Sequence, residues 1–183
     1  MEVKEFLIKL RKFWIENEVP NITDENAEFL TNLIKRNNFT NVLEIGTANW
    51  YSTICFADVL NKNWWHITSV EFSILSHNQA KENIKEVWLE SVCTLIHAQA
   101  LDIIPTFSDD SFDFVFIDGM KRRSKDFLEL SWPKTKNWWI IVIDDVIKFK
   151  EKMIWLYEYL EEKWIVYEVL KIDADDGIMI IKK

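Results

Sequence analysis

Apolar residues recur along this chain with two periods. Between Val3 and Glu16 they fall at Phe6, Leu7, Leu10, Phe13 and Trp14, the spacing that places a stripe on one face of a helix. Pro20 is expected to stop that helix. A second helix is predicted from Asp24 to Arg36, capped by Thr23 and favoured by Glu25 and Glu28 in its first turns. Beyond residue 40 short apolar runs alternate with helical stretches. The pattern predicts strands at Asn41–Ile45, His66–Val70, Val92–His97, Phe112–Ile117, Trp139–Ile143, Ile165–Leu170 and Ile178–Ile181. It predicts helices at Tyr51–Leu60, Ser76–Trp88, Ser124–Leu130 and Lys148–Lys163.

Apolar strands alternating with helices indicate an α/β fold, a mostly parallel sheet of seven strands covered by helices on both faces. The short Asp173–Gly177 turn makes the last two strands an antiparallel hairpin. Nothing reads as a linker or repeat, and 183 residues suffice for one domain with a sizeable core. A formal charge of −8 weighs against a broad electrostatic grip on nucleic acid or on an anionic membrane, and leaves a local basic patch open. Cys55 and Cys93 lie in apolar runs expected to be buried, and read as reduced cysteines of a cytoplasmic protein. No stretch has the apolar length of a signal peptide or a membrane span.

Ten tryptophans stand against three glycines. Their sum is about 7% of the chain, the ordinary share of glycine alone. Trp50 falls in a turn between strand and helix, and Trp64-Trp65 and Trp138-Trp139 each follow an Asn and precede an apolar run. Such turns call for φ > 0, where a bulky side chain is strained. Trp50, Trp64, Trp65, Trp88, Trp138, Trp139 and Trp164 are therefore read as glycine positions, the pattern left when UGA codons for glycine are translated as tryptophan. Trp14, Trp132 and Trp155 read as true tryptophans. The alternative is a genuinely tryptophan-rich core or binding face.

In an open α/β sheet, ligands bind beyond the carboxyl ends of the strands. After the first strand comes Glu44-Ile45-Gly46, then Trp50 and Ser52 at a helix start that offers free N–H groups. After the second comes Glu71, an acid suited to accept hydrogen bonds from both ribose hydroxyls of an adenosine. Gln99 and Ala100 follow the third, Asp118 the fourth, and Asp144 and Asp145 the fifth. Three carboxylates converging at adjacent strand ends repel one another unless a cation joins them. An all-oxygen set suits Mg2+, Mn2+ or Ca2+ rather than zinc. The bland alternative is a solvated acidic strand end.

The run VLEIGTANWYST, with Trp50 read as glycine, resembles the first motif of the cation-dependent O-methyltransferases, the relatives of catechol and caffeoyl-coenzyme A O-methyltransferases. The similarity continues through ITSVEFS, LDIIP, FVFIDGMK, WWIIVIDDV and DDGIMIIKK. It implies a Rossmann-like, doubly wound domain over residues 1–183 whose N-terminal helices, within 1–37, cover the cofactor and acceptor sites. It implies S-adenosylmethionine as cofactor and a divalent cation, usually magnesium. Glu44, Gly46, Trp50 and Ser52 would border the methionine part and Glu71 the ribose. Phe72 would pack by the adenine, Gln99 and Ala100 along its edge, and Ile22-Thr23 over the cofactor. Asp118, which also borders the cofactor, Asp144 and Asp145 would hold the metal, and Lys121 would be the catalytic lysine. The family commonly has Asn where this chain has Asp145.

The implied reaction moves a methyl group to a metal-bound hydroxyl of a catechol-like small molecule or of a hydroxylated uridine in tRNA, with a homodimer as the usual assembly. Lys121, its pKa lowered by the cation, would take the hydroxyl's proton. Arg122, Arg123 and Lys125 read as a solvated cluster, alternatively a contact for an anionic substrate. His66 and His97 read as structural. Two rivals remain. One is a cofactor-binding protein without catalysis, favoured if Trp50 is real. The other is an NAD-dependent reductase, suggested only by Tyr159-x-x-x-Lys163.

Overall fold

The computed structural model describes residues 2–16, 21–47, 50–174 and 176–183. Pro20, expected to end the first helix, lies outside them, as do Ala48, Asn49 and Asp175 of the quoted motifs. Strands β1 (Asn41–Ile45), β2 (His66–Glu71), β3 (Cys93–His97), β4 (Phe112–Ile117), β5 (Thr135–Ile143), β6 (Tyr167–Leu170) and β7 (Ile178–Lys182) form one sheet in the order β3-β2-β1-β4-β5-β7-β6. The first five run parallel, and β7 is antiparallel to both β5 and β6. The expected α/β architecture with its C-terminal hairpin is therefore present, and the strand order reverses between β1 and β4.

Seven α-helices are described: α1 (Val3–Glu16), α2 (Asp24–Asn37), α3 (Tyr51–Asn61), α4 (Ile74–Glu86), α5 (Ala100–Ile103), α6 (Ser124–Ser131) and α7 (Ile154–Glu162). Period-two alternation in the central strands sends side chains to both faces. Val42, Phe114 and Phe116 pack with Phe6 and Leu10 of α1, Leu30 and Ile34 of α2, and Ile54 and Phe56 of α3. Leu43, Ile45, Val115 and Ile117 pack with Phe127 and Leu128 of α6 and with Leu156 and Leu160 of α7. All of β4 is buried, which is why it reads as a continuous apolar run. By the same alternation Glu44 points to the α3 side of β1.

Several boundaries move from their expected places, each for a local reason. Strand β5 begins at Thr135 rather than Trp139, because Phe112 pairs with Thr135 and Phe114 with Ile140, leaving extra residues in an irregular stretch. Helix α4 starts at Ile74 behind Ser73, whose hydroxyl accepts from Ser76 N, and stops at Glu86 because Trp88 is left-handed, at φ 60. The last predicted helix divides into a 3-10 turn, Lys150–Met153, and α7. Strand β6 begins at Tyr167 because Trp164 and Ile165 donate their amides back into α7, to Glu161 and Leu160 carbonyls. Thr23 does cap α2, accepting from Asn26 N. Cys93 is half-buried rather than buried, and both cysteines are free. Among the described residues no helix is long and apolar enough to cross a membrane.

One buried carboxylate ties the amino ends of the central strands. Asp113, 2% exposed, accepts hydrogen bonds from Thr40 N at 3.1 Å, Thr40 Oγ1 at 2.8 Å and Asn41 N at 2.6 Å. The Lys136 ammonium is 3.6 Å away. Replacing Asp113 by Ala leaves two part-buried amides without an acceptor, and should lower unfolding free energy by about 1–3 kcal/mol in all. Urea denaturation of Asp113→Ala checks this; an unchanged midpoint would mean that water satisfies those amides.

Candidate active site

The reversal of strand order lets the loops after β1 and β4 part into a cleft. Gly46, at φ 84, turns the chain immediately after β1. A Cβ there would lie 2.6 Å from Gly119 Cα and 2.7 Å from the Asp118 carbonyl oxygen, so only glycine lets the two loops approach so closely. Asp118 N donates to Ile45 O at 2.9 Å, and Gly46 N donates to Val70 O at 3.0 Å. Glu71, at the end of β2, accepts from Thr47 N at 3.1 Å and Ser73 N at 2.6 Å, fixing the acid between two loops.

A cavity of about 670 Å³ opens beside these turns. Of the residues singled out in the sequence, Gly46, Glu71, Phe72, Gln99, Ala100 and Asp118 line it. Phe72 is 64% exposed, an aromatic face without a protein partner covering it. Ile45, Val70, Leu101, Met120, Arg123 and Phe127 also line the cavity and were not among the expected site residues. Leu101 and Met120 stand inside quoted motifs, which was the available signal. Phe127 arrives on α6 and had none.

The other expected residues lie apart from the cavity wall. Ile22 is buried, in the core with α1 and α2. Thr23 Oγ1 donates to Asp173 Oδ2 at 2.9 Å, and Asn26 Nδ2 donates to the same oxygen at 3.0 Å, pinning the start of α2 to the loop before β7. Glu44 is wholly enclosed: Ser52 Oγ donates to it at 2.5 Å, Ser69 Oγ at 2.7 Å, and Thr53 Oγ1 donates as well. Trp50 is buried at φ 74, and its indole Nε1 has no hydrogen-bond acceptor among the described residues.

Beside the cavity, at the ends of β4 and β5, one carboxylate oxygen from each of Asp118, Asp144 and Asp145 falls within 4.8 Å of the others. Asp144 N donates to Ile117 O at 3.1 Å, which locks the two strand ends together. Asp144 is 4% exposed and its Oδ1 is buried without a partner. Asp145 is left-handed, at φ 62, a conformation that Asp and Asn tolerate through their short polar side chains. The backbone at that position therefore accommodates Asp as readily as Asn.

Lys121 Nζ lies 2.6 Å from Asp118 Oδ1 and 2.8 Å from Asp145 Oδ2. Burial pulls its pKa down, but Asp118, Asp145 and Asp144 outweigh burial and raise it above the ordinary lysine value. The ammonium is thus the counter-ion of Asp118 and Asp145. Burial raises the pKa of Asp118, opposed in part by Lys121. Burial and the Asp118 charge raise that of Asp144 well above the usual carboxylate range.

The basic residues beyond Lys121 are mostly paired. Arg123 contacts Asp126 at 2.8 Å and Lys125 contacts Glu129 at 2.8 Å, while Arg122 is exposed. Arg123 nevertheless also lines the cavity, so it is not purely solvated. Tyr159 and Lys163 line a neighbouring groove between α6 and α7, and Lys163 pairs with Glu162. Nothing there supports the reductase pairing. His66 Nε2 meets Thr94 Oγ1 and His97 Nε2 meets Phe72 O, both structural contacts.

The O-methyltransferase family profile matches residues 1–181. The chain belongs to that family. A catechol O-methyltransferase of Niastella koreensis is 30% identical over 130 residues, which are 69% of this chain and 58% of that protein. A catechol O-methyltransferase of Mycobacterium tuberculosis is 27% identical over 133 residues, 72% of this chain and 60% of the relative. The matched region therefore spans less than two thirds of these curated relatives. Among solved structures, an O-methyltransferase from Bacillus cereus in complex with SAH superposes with a TM-score of 0.85 at 22% identity, over 98% of this chain and 91% of that one. That likeness establishes the fold.

Glu44 supplies a pH test of the buried network beneath the cleft. Burial raises its pKa from 4.5 to about 7, against the three hydroxyl donors that favour the charged form. Below about pH 4.5 the carboxyl is protonated whether the chain is folded or not. Between about 4.5 and 7 the unfolded chain loses that proton while the folded protein keeps it, so stability falls as pH rises and levels off above 7. The loss is roughly 3 kcal/mol. Denaturant titrations across that window should show a steeper fall in wild type than in Glu44→Gln, which keeps the raised Asp118 and Asp144; parallel curves would mean that Glu44 does not titrate there.

Proposed function

We propose that this O-methyltransferase family member transfers the methyl group of S-adenosylmethionine to a hydroxyl of a catechol-like small molecule, with a divalent cation at Asp118, Asp144 and Asp145. The observation that carries the reading is the carboxylate cluster at the mouth of the cavity that begins at Glu71 and Phe72. The donor set fits a hard cation: all oxygen, crowded within 4.8 Å, with a buried Asp144 Oδ1 lacking any partner. The SAH held by the Bacillus cereus relative supports the cofactor half of the reading.

Glu71 would accept the ribose hydroxyls while its two backbone donors hold it in place, and Phe72 offers a face to the adenine. A bound divalent cation supplies fixed positive charge that acidifies an acceptor hydroxyl beside it. With a cation held by those carboxylates, the charge that keeps the proton on Lys121 would be offset, and Nζ would stand where it could take the proton of an acceptor hydroxyl. S-adenosylmethionine held beside Glu71 and Phe72 would supply the methyl group, its carbon–sulfur bond breaking as the acceptor oxygen takes the methyl carbon and a neutral thioether is left. Leu101, Met120 and Phe127 supply apolar walls that exclude water, and much of the acceleration comes from positioning the two reactants. The pairing of Arg123 and Lys125 with neighbouring acids favours a small acceptor over a hydroxylated tRNA uridine.

Asp144→Ala should abolish magnesium-dependent methylation of a catechol while SAH affinity is retained. Undiminished turnover in excess chelator would overturn the cation role. Glu71→Ala should weaken SAH binding by about 1–3 kcal/mol, the scale of a lost buried polar partner. Calorimetry reads this directly, and an unchanged Kd would remove Glu71 from the ribose site.

A further inference from the structure

We infer that positions 50, 64, 88, 138 and 164 are glycine positions of the natural protein, encoded by UGA that its own lineage reads as glycine. Eight non-glycine residues among those described have positive φ, and five of them are tryptophans: Trp50 at 74, Trp64 at 58, Trp88 at 60, Trp138 at 71 and Trp164 at 55. The others are Asn38, Asp110 and Asp145, the residue types that tolerate this region. Tryptophan does not.

Three of the five close helices in the same way. Trp64 N donates to Asn61 O and Trp65 N to Leu60 O; Trp88 N donates to Lys85 O and Leu89 N to Ile84 O; Trp164 N donates to Glu161 O and Ile165 N to Leu160 O. This paired closure is the one that favours glycine at its left-handed residue, and α2 ends identically on Asn38, through Asn38 N to Lys35 O and Phe39 N to Ile34 O. Trp138 lies in the irregular stretch of β5, where the two-residue step from Phe112 to Phe114 faces the five-residue step from Thr135 to Ile140 and the backbone turns left-handed. The indoles themselves gain nothing: Trp64, Trp88, Trp138 and Trp164 are between 77% and 91% exposed. Trp50 is buried, yet its N–H is unpaired, a second penalty added to the backbone strain.

The remaining tryptophans behave otherwise. Trp14 is 2% exposed and meets Tyr51 edge-on at 5.3 Å, as a true core tryptophan does. Trp65 and Trp139, read as glycine from the sequence, are not left-handed and pack half-buried against the core, so the backbone makes no such demand there. The inference is therefore narrower than the sequence suggested. Position 50 carries the functional consequence, which rests on the cofactor reading above: glycine there empties the space that the indole takes up between β1 and α3.

The deciding experiment reads the five codons in the source DNA and compares thermal unfolding of the chain as written with W64G, W88G and W164G. UGA is expected at all five positions, and each variant should raise Tm by about 2–4 °C. UGG at any of the five, or a fall in Tm for any of these variants, would overturn the inference. W50G is compared with the parent by SAH calorimetry, where tighter binding is expected. Equal, measurable affinities would remove position 50 from the cofactor site. Failure of both chains to bind SAH would instead count against the cofactor reading, while codons and Tm still decide the glycine positions.

Discussion

The architecture of the cleft depends on one close approach. Gly46 turns the chain after β1 against Gly119 and the Asp118 carbonyl after β4, at a separation that admits no Cβ. Because the strand order reverses between these two strands, their loops leave in opposite senses and open the cavity. A side chain at Gly46 would push the loops apart. Asp118 would then lose its place beside Asp144 and Asp145, and Glu71 would lose the amide of Thr47.

Charge is handled differently on the two sides of that contact. Beneath the cleft, Glu44 is satisfied by three hydroxyls and has no cation near it, so burial dominates and its pKa rises. At the mouth, Asp118 and Asp145 share one ammonium, Lys121, which acts as an internal counter-ion. Asp144 is not among its ion-pair partners, and burial and the Asp118 charge raise its pKa well above the usual carboxylate value.

Much of this was legible in the linear chain. Strand after strand ended in a polar residue, and Glu71, Asp118, Asp144 and Asp145 were identifiable because polar groups terminating apolar runs mark the ligand-binding edge of such sheets. The left-handed turns were legible too, through tryptophans standing where turn chemistry wants glycine. What was misjudged shared a cause: element ends set by tertiary pairing. Strand β5 extends back to Thr135 because β4 is there to pair with it. Trp65 and Trp139 looked equivalent to their neighbours Trp64 and Trp138 until packing separated them.

The sequence by itself determined the class of fold, the succession of strands and helices, and the residues that follow each strand, because periodicity, capping and turn preference are local properties of the chain. Only the tertiary structure decided that Lys121 would bridge Asp118 and Asp145, that Phe127 would wall the cavity, and that Glu44, Ser52 and Trp50 would lie behind it rather than on its surface. Those outcomes depend on register and on which strand lies beside which. They are fixed by contacts between residues far apart in the chain, for which local pattern carries no signal.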